Sequence, residues 1–190
     1  REILSILEKV SKTSRPLLII ADDYESDVLG FLVANHLRGV LKVIAVKSPS
    51  YGETKQNTLL DIAIVTGGQV VSEESGLTFD TIEVDQLGEA SRVESTKNFT
   101  TIIGGNGSTE GIQDRIRLME RQIEIHENEF EKNKIRERLA KLSGGVAIIK
   151  VGASTEVELK EKKDRIEDAL AATRAAIEEG IVPGGGTAYV

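Results

Sequence analysis

The chain of 190 residues has no cysteine, no tryptophan, one methionine and three prolines. Without cysteine there is no disulfide scaffold, no Cys-ligated zinc and no thiol nucleophile. Aromatic residues make up only 4%, and 24 Lys+Arg face 31 Asp+Glu, for a net charge of −7. That balance argues against a surface built for nucleic acid. No apolar run approaches the ~20 residues that span a bilayer, and the N-terminus does not read as a signal peptide. G-x-S-x-G, H-E-x-x-H and the P-loop pattern are missing as well. His36 and His126 stand far apart without ligand-spaced partners, so both read as structural and no metal site is expected.

What remains is 39% hydrophobic and 29% charged, an ordinary folded-protein composition. The first residue is Arg1 rather than Met, and the last follows a glycine triplet, so a piece of a longer chain is expected. Ile3, Leu4, Ile6, Leu7 and Val10 form a stripe of helical period over residues 1–10. Pro16 ends it, and Leu17-Leu18-Ile19-Ile20 reads as a strand covered on both faces. A helix over Ser26 to Leu37 should close at Gly39, followed by a strand at Val43 to Val46. Residues 54–66 predict a helix, and Gly67-Gly68 leads into a third strand at Val70-Val71. The β-α-β-α-β order implies a small parallel sheet with helices on its faces.

Beyond Ser72 come short β-type stretches, among them Arg92 to Ser95 and Phe99 to Ile103, and then a turn at Gly104-Gly105-Asn106-Gly107. Two charged helical stretches follow. Ile112, Ile116, Met119 and Ile123 share a face of the first, and Ile135, Leu139 and Leu142 a face of the second, which predicts an antiparallel helical hairpin. Gly144-Gly145 marks the best boundary. A strand at Val146 to Val151 comes next, then a helix opened by Thr155 and Glu158 at capping-box spacing and ended at Gly180. Pro183-Gly184-Gly185-Gly186 is a second flexible point.

Two features carry function on physical grounds. Val28 to Ala34 is apolar over nearly two turns, more than one buried face requires, and the first helix has the same excess at Leu4 and Leu7. The pair predicts an apolar groove between two helices for extended or helical segments. The glycine triplet would let backbone approach a phosphate or a base. Asp22 and Asp23, at the end of the first strand, are where a nucleotide-binding α/β enzyme would hold its ligand, though without a Gly-rich turn.

Leu142 to Ala153 with Thr155-Glu156-Val157-Glu158, Arg165 to Ala176, and Gly180-Ile181-Val182-Pro183-Gly184-Gly185-Gly186 make the chain similar to the group I chaperonins of the GroEL type. Pro16 to Ala21, Arg38-Gly39, Asp61-Ile62-Ala63 and Thr66-Gly67-Gly68 fit the same family. The resemblance covers all 190 residues. It departs at Ser50-Tyr51-Gly52-Glu53-Thr54-Lys55, where the family commonly has Gly-Phe-Gly-Asp-Arg-Arg, and at Gly30 and Ala34 within the second helix.

The resemblance implies a mixed α+β chain of class α/β. Residues 1–145 would be an apical domain, with a small central β-structure flanked by helices and a helical hairpin, and with its first strands absent. Residues 146–179 would be a mainly helical intermediate-domain segment, and 180–190 the start of an equatorial segment. It further implies an ATP-dependent protein-folding chaperonin whose apical site, at Leu4, Leu7, Leu29, Val33, Ala34, Asn35 and Arg38, binds non-native polypeptide and a GroES-type co-chaperonin. Asp168 would serve ATP hydrolysis, and Gly184, Gly185 and Gly186 would contact nucleotide with Mg2+. The working protein would be a homo-oligomeric ring, with neither nucleic acid nor membrane as partner. Its compartment would be the bacterial cytoplasm, with a mitochondrial or plastid interior as the alternative. The chain by itself is expected to lack ATPase activity. The rival reading is a passive, holdase-like peptide binder without a folding cycle.

Overall fold

The computed structural model describes residues 3–72, 75–144 and 149–189, and it divides into two compact units, residues 1–146 and 147–190. The first unit opens with α1 (Leu4–Ser11), β1 (Leu17–Ala21), α2 (Ser26–Leu37), β2 (Val43–Lys47) and α3 (Gly52–Thr66). β1 and β2 pair in parallel from Leu17↔Val43 to Ala21↔Lys47. A 3-10 turn at Val84–Gln86 leads to β3 (Ala90–Ser95) and β4 (Thr100–Gly105), which pair antiparallel. The hairpin α4 (Thr109–Ile125) and α5 (Glu129–Ser143) closes the unit.

α1 divides its apolar side chains between two small cores. Ile6 and Val10 pack with Ile82, while Leu7 packs with Leu32 of α2 and Leu41. Lys9 pins the helix in place, donating to the Ile82 carbonyl at 3.1 Å and pairing with Glu83 at 2.8 Å. α2 ends as its sequence suggests, with Gly39 at φ +72° and both Val40 and Leu41 N–H groups donating to the Asn35 carbonyl.

Two expectations for the parallel sheet fail. Val70 and Val71 form no strand, so among the described residues β1 pairs only with β2. The cause is local: Gln69 N–H is spent on the Gln86 carbonyl, and Gly68 presses against Gly88, where a Cβ would meet backbone at 2.3 Å. The segment therefore turns across the 86–88 loop instead of joining the sheet. Nor is β1 covered on both faces. All five of its residues are half-exposed, and they border an open, largely apolar cavity of about 1340 Å³ with α3 and Val93 and Ile102 of the β3–β4 ribbon on other walls.

The hairpin follows its stripe pattern. Ser108 caps α4 by accepting from Gly111 N–H, and Asn128 caps α5 by accepting from Phe130 N–H. Met119 is fully buried, Ile135 nearly so, and Ile112, Ile116, Ile123, Leu139 and Leu142 are half-buried. Periodicity did not announce Arg138, which is buried at 8% exposure and joins Arg115 on Asp61 of α3.

In the second unit, α6 (Glu156–Glu179) runs to Gly180 as expected, then a 3-10 turn spans Thr187–Tyr189. Thr155 accepts from Glu158 N–H, but Glu158 reaches back to Ser154 N–H rather than to Thr155, so the capping box is shifted by one residue. Of the strand expected over Val146 to Val151, residues 146–148 lie outside the described residues, as does Gly145, and Ile149 to Val151 are not β-structure.

Candidate functional site

α2 has twelve residues and buries only Leu32. Leu29, Val33 and Leu37, spaced i, i+4, i+8, run along one side of the helix at 40%, 56% and 79% exposure. Phe31 and Val40 add to the exposed apolar surface. On α1, Leu4 faces outward at 38% exposure. Leu7 does not: at 2% exposure it belongs to the core under α2, because it and Leu32 are the contact that seats α1 against α2. The expectation of an exposed Leu7 is therefore corrected, and only Leu4 of that pair is available to a ligand.

Of the remaining predicted residues, Ala34 is half-buried. The Asn35 side-chain amide donates to the Phe31 carbonyl at 2.8 Å, while its main-chain carbonyl holds the turn after α2. Arg38 caps the helix C-terminus in the open. A shallow apolar pocket of about 280 Å³ lies on the strand side of α2. Leu29, Val33, His36 and Leu37 form its helical wall, and Val43 and Ala45 of β2 form the other. His36, read from the sequence as structural, accepts from Val43 N–H at Nδ1 (3.4 Å) and so links the two walls.

The acids at the strand ends are not poised for a ligand. Asp22 is paired with Lys55 at 2.5 Å, which holds its carboxyl below the usual range. Asp23 is paired with Lys47 at 3.1 Å, and the Tyr24 N–H, then Lys47, lower its carboxyl as well. The Tyr24 hydroxyl sits 2.9 Å from the Ile19 carbonyl and 2.8 Å from that of Val46, clasping β1 to β2, and its burial raises its pKa. Among the described residues no group of three or more His, Asp or Glu gathers to hold a metal.

In the second unit Asp168 is exposed on α6. A Cβ added at Gly184, Gly185 or Gly186 would meet nothing within 4 Å, with the last two at φ +73° and +76°. The backbone there is open enough for close approach by a phosphate. Among the described residues no group of three or more His, Asp or Glu gathers to hold a metal, so these residues do not by themselves fit a Mg2+–nucleotide group.

All 190 residues match the model of the TCP-1/cpn60 chaperonin family. The chain belongs to that family. Among solved structures it is similar to the chaperonin gp146 from the bacteriophage EL 2 (Pseudomonas aeruginosa), crystallised in the presence of ATP-BeFx. The TM-score is 0.63 and the identity 26%, over 97% of this chain and 36% of that one. This chaperonin chain thus spans about a third of the length of that neighbour. A mixed α/β fold and a chaperone role go with the family.

Proposed function

We propose that the outward face of α2, with Leu4 of α1 beside it, captures non-native polypeptide for an ATP-dependent folding chaperonin of group I. The observation that carries the reading is the stripe Leu29–Val33–Leu37 on a helix whose only buried residue is Leu32. Large apolar side chains left in water stabilise a complex by roughly 1.5–3 kcal/mol each when fully covered. A shallow surface realises part of that, so tight capture needs several copies acting together in a homo-oligomeric ring. In this reading residues 1–145 are the apical domain, 146–179 part of the intermediate domain and 180–190 the start of an equatorial segment. The same surface would take a GroES-type co-chaperonin, and the compartment would be the bacterial cytoplasm.

The test is fluorescence anisotropy of a labelled, permanently unfolded polypeptide titrated with wild type and Val33→Glu. Val33 is more than half exposed, so the glutamate should leave far-UV circular dichroism unchanged and reduce binding by at least about tenfold. Equal binding by both proteins would remove α2 from the proposal.

ATP use belongs to the proposal too. It is supported by the family and by a neighbour crystallised with ATP-BeFx. In it, Asp168 is the hydrolytic aspartate and Gly184 to Gly186 the backbone that approaches nucleotide. Because no group of three or more His, Asp or Glu among the described residues gathers to hold Mg2+, the 190-residue chain is expected to release no phosphate from ATP. Mg2+-dependent turnover that vanished in Asp168→Ala would contradict this.

A further inference from the structure

We infer that His36 is a proton-sensitive latch between the last turn of α2 and the free edge of β2, closed while its imidazole is neutral and released on protonation. The sheet defines that edge. Leu17 N–H donates to the Lys42 carbonyl and Ser48 N–H to the Ala21 carbonyl, both at 2.8 Å, so the even-numbered residues of this stretch bond to β1. The main-chain groups of Val43 and Ala45 therefore point the other way, where β2 has no strand neighbour among the described residues. There Val43 N–H finds its acceptor in His36 Nδ1 at 3.4 Å. A main-chain N–H can only donate, so Nδ1 must be the bare nitrogen of a neutral ring, and a proton added to it ends the bond. The charged form has its own support: His36 is the basic residue in the last turn of α2, where the helix carbonyls favour a cation. The charged residues on the elements around it are Glu25, Asp27 and Arg38 on α2 and its caps, Lys42 and Lys47 before and in β2, and Glu8 and Lys9 on α1; β1 has none. None of them lines the pocket that His36 lines, and Lys9 and Lys47 are spent on Glu83 and Asp23. No carboxylate pairs with His36 among the described residues, so no ion pair fixes the ring in either state. Histidine is the side chain that changes charge in the neutral range, which makes the bond a switch rather than a permanent tie.

The test is nuclear magnetic resonance of the isotope-labelled full chain, titrated from about pH 8 to about pH 6. The Val43 amide resonance should move with the His36 ring protons, and its protection from exchange, corrected for pH, should fall about fivefold. Leu41 N–H, which donates to the Asn35 carbonyl, is the internal reference and should hold. His36→Gln keeps an acceptor that no proton removes, so its Val43 protection should not change with pH. His36→Leu, with no acceptor, should give low protection throughout. A Val43 amide that ignores the His36 titration, or that follows pH equally in His36→Gln, overturns the inference. The consequence for capture rests on the function proposed above. His36 shares the pocket wall with Leu29, Val33 and Leu37, so its charge should weaken burial of an apolar side chain there. A labelled, histidine-free unfolded polypeptide should bind wild type about threefold more weakly at the lower pH, and His36→Gln equally at both. Equal pH responses of the two proteins would overturn that consequence. Should neither protein bind the polypeptide at either pH, the capture role fails, while the resonance titration still decides the latch.

Discussion

Asp61→Ala is expected to destabilise the first unit by about 3–5 kcal/mol, a large share of the 5–15 kcal/mol that typically holds a domain together. Asp61 Oδ2 accepts from Arg138 Nε at 2.7 Å, and Oδ1 accepts from Arg115 Nε at 2.8 Å and Arg138 Nη2 at 3.1 Å. The carboxylate is 9% exposed, the two arginine side chains 12% and 8%. One anion therefore neutralises two largely buried cations, with Asn57 Oδ1 taking a further bond from Arg115 Nη2 at 3.0 Å. Removing the anion leaves two like charges facing one another out of water. Removing Arg138 instead leaves a one-to-one pair, so Arg138→Met should cost markedly less than Asp61→Ala. Urea melts of the two variants check the ranking, and amide exchange in α5 should speed up most in Asp61→Ala. The reverse ranking would mean that aliphatic contact, not charge, holds the hairpin to α3.

That network also shows where sequence reading stops. α2 was legible to the residue because a Gly follows its end and polar residues precede its start, and punctuation of that kind acts within a few residues. The α4–α5 hairpin was legible because each arm repeats one apolar stripe. Arg138 and Asp61 are 77 residues apart, and no local period encodes such a partner. The third strand failed for a related reason. Val70-Val71 has β propensity, but a strand exists only where a neighbour accepts its ladder, and here Gln69 N–H is already spent on Gln86.

The candidate site divides along the same line. That α2 is too apolar for a single buried face can be counted from its composition, and the structure leaves three large side chains of one stripe in water. Which residue of α1 joins them cannot be counted. Leu4 and Leu7 lie one turn apart, and only the position of Leu32 decides that Leu7 turns inward. The resemblance carried both leucines over together, whereas in this chain they do different work.

Gly107→Ala is the second change expected to be severe, at about 3 kcal/mol or slightly more. An added Cβ would stand 1.9 Å from the Ile64 carbonyl oxygen and 2.6 Å from that of Val65. Neither obstacle is the end of a flexible side chain. Both are backbone in the last turn of α3, and Gly107 N–H itself donates to the Val65 carbonyl at 2.8 Å. Gly105 is confined in the same way, since a Cβ added there would stand 2.2 Å from the Val65 carbonyl oxygen, so the turn cannot give way on that side. Gly30→Ala is the control: its Cβ would meet nothing within 4 Å inside α2, so it should stabilise by roughly 0.5–1 kcal/mol. Thermal melts of both variants separate a demand for space from a general intolerance of side chains at glycine. A neutral Gly107→Ala would mean that α3 and the turn before α4 are not in fixed contact. Because that turn and Asp61 fasten the same hairpin to the same helix, the double variant Asp61→Ala/Gly107→Ala should fall short of additivity: once one fastening is lost, the second has less left to hold.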